Sequence, residues 1–266
     1  MVPLATALLL LVPLSAAGAG AAAGAAAGSG AGAGAATSTS PARGFNSWDA
    51  YKQNLNESAA LQIAQGMVQL LLPHGYDYLV IDGGWSDAYN HDECGDCVDE
   101  YGRPQPTVAK WPSSAGGKGL KPFIDKMHSM GLKVGMHTLQ GSITRAALHG
   151  NCSVLGAPGV TVNDIAGPGC SWQKWGYGVD MANPAGQAYL DSVYSQYAEW
   201  GLDLIKNDCV FAENWDESGS PLIRGVKHAI EQAGHATAYC ELQYKCRVIL
   251  EFSIENAEIM WNCPEK

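Results

Sequence analysis

Positive charge is scarce in this 266-residue chain: Lys and Arg total 16 against 26 Asp and Glu, a net charge of −10. Wrapping nucleic acid or an anionic membrane needs clustered Lys and Arg, so neither is expected as a partner. Beyond the N-terminus, no apolar run approaches the ~18 residues of a membrane span. The Gly-rich stretches lack a strand–G-x-G-x-x-G–helix or P-loop context, so no nucleotide cofactor is expected. Cys94-Gly95-Asp96-Cys97, with His91 nearby, would be half a zinc site, but no second C-x-x-C completes it. A disulfide or free thiols in a long loop fit that motif better, and no metal is expected. The eight cysteines all follow residue 90. In a secreted chain an even count suggests disulfides, with connectivity left open.

No Lys, Arg, His, Asp or Glu occurs from Met1 to Ala42. Leu8 to Val12 form a short apolar core, and Ser15-Ala16-Ala17 offers small residues for cleavage. Residues 1–17 therefore read as a signal peptide, although only the terminal amine supplies positive charge ahead of it. Residues 18–42 are rich in Ala and Gly, with nothing to bury, and read as a flexible linker. A low-complexity leader of no function is the alternative. The signal reading sends the chain through the secretory pathway to the extracellular space, the cell wall, or a vacuole or lysosome. Asn56-Glu57-Ser58 and Asn151-Cys152-Ser153 are glycosylation sequons, a weak signal in the same direction.

The whole chain is 47% hydrophobic, enough to bury a core. At roughly 150 residues per domain the length suggests one large domain or two small ones. Spacing carries the most information. Leu120, Phe123, Ile124 and Met127 recur at helical intervals; Gly131 follows where a left-handed C-cap belongs; then comes the strand-like run Leu132 to Thr138. Ala60, Ile63, Ala64, Met67 and Leu71 form a second such face before Gly75 and Tyr76 to Asp82. Leu190, Val193, Tyr194 and Tyr197 form a third before Gly201 and Leu202 to Asp208. A weaker copy runs from Val226 through Gly234 to Glu241. Strands alternating with helices predict a parallel sheet with right-handed crossovers. Gly44 to Trp48 reads as an opening strand.

Seven residues after these glycines stand Asp82, Thr138, Asp208 and Glu241. Three of the four are carboxylates, each where an apolar strand stops. The C-terminal ends of parallel strands share one face, and sites are built there. Long inserts follow strand ends at residues 83–112 and 141–184. They carry Trp85, Trp111, Trp172 and Trp175, which suit either stacking on a sugar face or packing under the loops. Lys206 and Asp208 alternate onto one side of their strand. An ammonium there keeps the carboxylate ionised and able to attack an acetal carbon; a structural ion pair is the other reading.

Four ordered motifs resemble glycoside hydrolase family 27, the α-galactosidase or melibiase family. Gly44-Phe45-Asn46-Ser47-Trp48-Asp49 is similar to its Gly-Trp-Asn-Ser-Trp opening. Tyr78 to Trp85 resembles its strand ending Ile-Asp-Asp-x-Trp. Gly131 to His137 resembles Gly-Leu-Lys-x-Gly-Ile-Tyr. Trp200 to Cys209 resembles its Trp-Gly-Val-Asp-x-x-Lys-Tyr-Asp nucleophile strand. The resemblance covers about residues 43–215. Trp111 to Ser114, Gly116 to Gly119 and Asp208 to Phe211 look closest to the plant branch acting on β-L-arabinopyranosides and α-galactosides. It implies a (β/α)8 barrel and a retaining exo-glycosidase with Asp208 as nucleophile. It implies contacts from Trp48, Asp82, His137 and Lys206 to a terminal galactosyl or arabinopyranosyl residue. His137 stands in the place of a family Tyr, and Gly83 replaces a family Asp that would accept a sugar hydroxyl. Tyr239-Cys240-Glu241 resembles a strand end whose Glu binds the 2-hydroxyl.

The family's acid/base is an Asp in a Tyr-Arg-x-Thr-Gly-Asp context, and no Asp follows Asp216. The expectation is a barrel shortened to about five βα units over residues 43–242, with residues 243–266 a tail of unknown structure. Three functional readings follow. The chain is a glycosidase by descent lacking its acid, a catalytically inactive carbohydrate-binding remnant, or a short barrel using Glu241 as the acid.

Overall fold

The computed structural model describes residues 42–139, 143–170, 176–209, 219–234, 238–241 and 259–260. The signal-peptide and linker readings, Trp172, Trp175 and nearly all of the tail lie outside the described residues. The elements in chain order are β1 (Gly44–Asn46), α1 (Trp48–Tyr51), α2 (Glu57–Leu70), β2 (Tyr78–Ile81), α3 (Lys121–Ser129), β3 (Lys133–Leu139), β4 (Ile143–Thr144), α4 (Arg145–His149), β5 (Ala166–Gly169), β6 (Gly176–Val179), α5 (Pro184–Trp200), β7 (Leu204–Asp208), α6 (Gly219–Gln232), β8 (Ala238–Glu241) and β9 (Ile259–Met260), with short 3-10 turns between them.

The main sheet runs in the order β1-β2-β3-β7-β8-β9, and every neighbouring pair in it is parallel. Helices α2, α3, α5 and α6 each fall between two successive strands of this sheet. That is the repeating unit the spacing predicts. The sheet has one strand more than expected, because β9 lies in the segment read as a tail of unknown structure.

Local chemistry explains the repeat. Asn56 caps α2, its Oδ1 accepting from the Ala59 amide. Asn183 caps α5 in the same way, with Pro184 at the first helical position, where its missing N–H costs nothing. Gly75, Gly131, Gly201 and Gly234 all have positive φ. A residue with a Cβ is strained there, so these glycines let each helix stop and the chain turn into the next strand. The predicted faces are the buried ones: Phe123, Ile124 and Met127 of α3, and Leu190, Val193, Tyr194 and Tyr197 of α5. Burying each such side chain contributes about 1.5–3 kcal/mol, so the helices are held by the sheet rather than by propensity.

Strands β3 and β7 are fixed in register at their N-terminal ends. The Val134 amide donates to Asp203 Oδ2 at 2.8 Å, and the Asp203 amide donates to the Val134 carbonyl at 3.0 Å. His128 Nε2 lies 2.8 Å from the same Oδ2. This register sets His137 opposite Lys206 and Thr138 opposite Asn207.

The insert over residues 141–184, expected only as a long loop, contains a second sheet. Strands β4, β6 and β5 pair antiparallel in that order. They are two to four residues long and partly glycine, too short to show a period of two. Among the described residues no helix is long and apolar enough to cross a membrane.

Candidate active site

Strand β2 is buried along its whole length. At its C-terminal end the chain places Asp82, only 2% exposed. The Asp82 backbone amide donates to Ser47 Oγ at 2.9 Å. Its side-chain Oδ2 accepts from Asn46 Nδ2 at 2.9 Å and from Lys206 Nζ, and Oδ1 accepts from the Gly83 amide at 2.7 Å. Burial pushes this carboxyl up. Electrostatic attraction from the neighbouring His137 and Lys206, with the hydrogen bonds from Lys206 and Gly83, outweighs burial and holds it below the ordinary aspartate value.

His137 reaches the same place from β3 and is buried. Its carbonyl accepts from Trp85 Nε1 at 2.8 Å, and the Trp85 carbonyl accepts from Trp111 Nε1 at 3.0 Å. Both Trp side chains are fully buried, and Trp85 meets Tyr197 and Trp200 edge to face. Of the two readings for the insert tryptophans, packing holds for Trp85 and Trp111. A buried indole needs a partner for its N–H, and both find one in a carbonyl of this chain.

Strand β7 brings Lys206 and Asp208. Because side chains alternate, Lys206 and Asp208 share the face of their parallel neighbour His137. Asn207 and Thr138 form their own pair, Thr138 Oγ1 donating to Asn207 Oδ1 at 3.1 Å. The seven-residue count that landed on Thr138 is therefore one residue late on β3; His137 joins the site. Asp208 Oδ1 accepts from the Cys209 amide at 2.7 Å. Asp208 Oδ2 lies 3.3 Å from His137 Nε2. Cys209 is in a disulfide with Cys170, and Cys94 is paired with Cys97.

Asp82 with Lys206 and His137 with Asp208 thus form two contacting pairs at the C-terminal ends of three adjacent strands. Trp48 lies beside them: a β-carbon placed on Gly83 would be 3.2 Å from the Trp48 ring and 3.9 Å from His137 Nδ1. Glu241 ends β8, its backbone in register with Asn207, and its side chain lies outside the described part. Asn46 and Ser47 are site residues that the sequence reading did not single out. Their signal was the Asn-Ser pair ahead of Trp48, two small polar residues at the end of an opening strand. A separate cavity of about 520 Å³, lined by Ala166, Val179, Asp180, Met181 and Leu222 among others, contains none of these side chains. Among the described residues no group of three or more His, Cys, Asp or Glu is placed to hold a metal ion.

No family model matches the chain. A β-L-arabinopyranosidase of glycoside hydrolase family 27 from Geobacillus stearothermophilus, solved in complex with arabinose, is 32% identical with a TM-score of 0.76, covering 84% of this chain and 53% of that one. Over this span the chain belongs to glycoside hydrolase family 27. The α-galactosidase mel1 of Schizosaccharomyces pombe is 26% identical over 210 residues, 77% of this chain and 37% of the relative. A protein of Aspergillus clavatus named "Probable alpha-galactosidase B" is 28% identical over 180 residues, 67% of this chain and 30% of the relative. The chain thus spans about a third of the length of these curated relatives and about half of the solved structure. The parallel βα units described above are family 27 units of a (β/α)8 barrel.

Proposed function

We propose that this chain is the nucleophile-bearing part of a retaining exo-glycosidase acting on terminal α-D-galactosyl or β-L-arabinopyranosyl residues. The observation that carries the reading is the two pairs Asp82–Lys206 and His137–Asp208 side by side at adjacent strand ends. Asp208 is the nucleophile. Its oxygen bonds to the anomeric carbon as the glycosidic C–O bond breaks, and the leaving oxygen takes the electron pair and a proton. Water then attacks the same carbon and frees the carboxylate. Glu241, one strand over, is the candidate for that proton donor or for a contact to the 2-hydroxyl.

The other residues bind. An ionised carboxylate offers about four acceptor positions. Asp82 spends three on Asn46, Lys206 and Gly83, so one remains for a sugar hydroxyl. Lys206 neutralises Asp82 and has further N–H donors. Trp48 and His137 complete the wall around Gly83. β-L-arabinopyranose has the ring stereochemistry of α-D-galactose without the CH₂OH. A wall of glycine in place of aspartate removes an acceptor and weakens the preference for galactose. Passage through the secretory pathway fits the two disulfides.

The test uses the full 266-residue chain and fluorinated, dinitrophenyl-activated galactoside and arabinopyranoside. Such a leaving group departs without an acid, so the first half-reaction depends on the nucleophile alone. The expected result is a glycosyl adduct on Asp208, found by peptide mass spectrometry and absent from Asp208→Asn. An adduct elsewhere, or none, overturns the reading. Sugar binding by calorimetry without any adduct would mark a carbohydrate-binding protein instead.

A further inference from the structure

Taking the site to hold a terminal galactosyl or arabinopyranosyl residue, as proposed above, we infer that His137 selects one of the sugar's ring hydroxyls: its Nδ1 accepts the hydrogen bond of that hydroxyl in the space left open at Gly83.

The two nitrogens of the His137 ring have different surroundings. The residue is 6% exposed, and its backbone carbonyl is held by Trp85 Nε1 at 2.8 Å. Nε2 lies 3.3 Å from Asp208 Oδ2. An ionised carboxylate only accepts, so Nε2 carries the hydrogen in this contact. A neutral imidazole has one ring hydrogen, so Nδ1 is left with a lone pair. Among the described residues no N–H or O–H donates to that lone pair. Asp208 thus fixes the tautomer, and the tautomer makes Nδ1 an acceptor in want of a donor.

The direction of Nδ1 says where the donor sits. A β-carbon on Gly83 would lie 3.9 Å from Nδ1 and 3.2 Å from the Trp48 ring. Glycine puts no side chain there, so the imidazole and the indole border an open space at the end of β2. An acceptor beside an aromatic ring suits a sugar, which offers O–H donors at its rim and C–H groups on its faces. Gly83 and His137 both depart from the family motifs, and the parallel strands β2 and β3 put them side by side. The acceptor that Gly83 cannot supply comes from the next strand. A ring hydroxyl is the donor, because both candidate sugars carry it, whereas the CH₂OH belongs to galactose alone.

The test separates the two ring nitrogens. The amide of His137→Asn reaches the place of Nδ1 and loses Asp208; that of His137→Gln reaches the place of Nε2 and leaves Nδ1 without a substitute. Arabinose and its monodeoxy forms are titrated by calorimetry into the full 266-residue wild type and both variants. One monodeoxy form should bind wild type roughly tenfold more weakly than arabinose, the worth of one neutral hydrogen bond. His137→Asn should keep that ratio within about threefold, and His137→Gln should bind the two sugars alike. Nitrogen NMR of wild type labelled in its histidine rings gives an answer that needs no variant to fold: Nδ1 of His137 should carry no hydrogen, and its signal should move when arabinose is added. A ratio kept in His137→Gln and lost in His137→Asn would mean that His137 acts through Asp208 alone. A ratio kept in both variants or lost in both, a hydrogen on Nδ1, or a signal that arabinose leaves in place equally overturns the inference, while sugar binding would leave the reading of the site standing. Binding of neither arabinose nor galactose by wild type would overturn both.

Discussion

Lys206→Met is the most informative single change, because it leaves a buried carboxylate without its cation. Asp82 is 2% exposed and Lys206 9%, and they are in direct contact. Removing one partner of a buried ion pair costs about 3–5 kcal/mol, since the remaining charge stays desolvated. Asn46 and the Gly83 amide still donate to Asp82, so the loss should fall near the lower end, about 3 kcal/mol. For a domain of this size each kcal/mol shifts Tm by roughly 2–4 °C, so the expected drop is roughly 6–12 °C at pH 7. The pH dependence gives the physical cause. In wild type the Asp82 pKa is lowered by folding. Its stabilisation is therefore present above the unfolded aspartate value of about 3.9 and is lost as pH falls through the folded value. In Lys206→Met much of that lowering is gone. The gap between variant and wild type should be full at pH 7 and narrow steadily below about pH 4. Adding Asp82→Asn should recover part of the loss, because no charge is then left buried. Urea titrations at pH 7 and pH 3.5 measure all three. A loss below about 1 kcal/mol, a gap independent of pH, or a double variant that is simply additive would refute the reasoning.

Other expectations follow from the same contacts. Gly84→Ala puts a Cβ 2.5 Å from the Gln53 backbone at φ 89°; it should cost at least about 2 kcal/mol in urea unfolding. Trp85→Phe keeps most of the ring but leaves the His137 carbonyl unpaired; about 1–3 kcal/mol of stability should go, with a weaker affinity for arabinose by calorimetry. Gly83→Asp restores the acceptor found at that place in the family. The galactose-to-arabinose affinity ratio should rise roughly tenfold, and an unchanged ratio would mean that this wall does not read the CH₂OH position.

Much of this arrangement was legible in the sequence because it is written in spacing. The helical faces before Gly131 and Gly201 are the buried faces, and the glycines adopt the left-handed turn their position implied. Lys206 and Asp208 alternate onto one side, as any strand requires. The miss on β3 is instructive. Counting from Gly131 gives Thr138, yet the parallel register brings His137 against Lys206 and turns Thr138 to Asn207. Distance along one strand does not fix which residue faces a neighbour; the pairing between strands does. The second sheet was invisible because strands as short as Ile143–Thr144 have no period to detect. The tryptophans were ambiguous because composition cannot say whether a loop aromatic meets a ligand or the core. The Cys170–Cys209 pairing joins residues 39 apart, and an even cysteine count permits many such pairings.

The Asp203 clamp at the far end of β3 and β7 has a consequence for how this site can change over time. Its bonds to Val134 index one strand against the other, like a zero mark on two sliding scales. Every facing pair beyond it is then read by counting. Substitutions at His137, Lys206 or Asp208 alter the chemistry without touching the index. A single-residue deletion between Asp203 and Lys206 would instead move Asn207 onto the face that Lys206 now occupies, displacing both Lys206 and Asp208 in one step. The clamp therefore separates two kinds of variation: residues at the top of the strands are free to be tuned one at a time, while the length of chain below them is not.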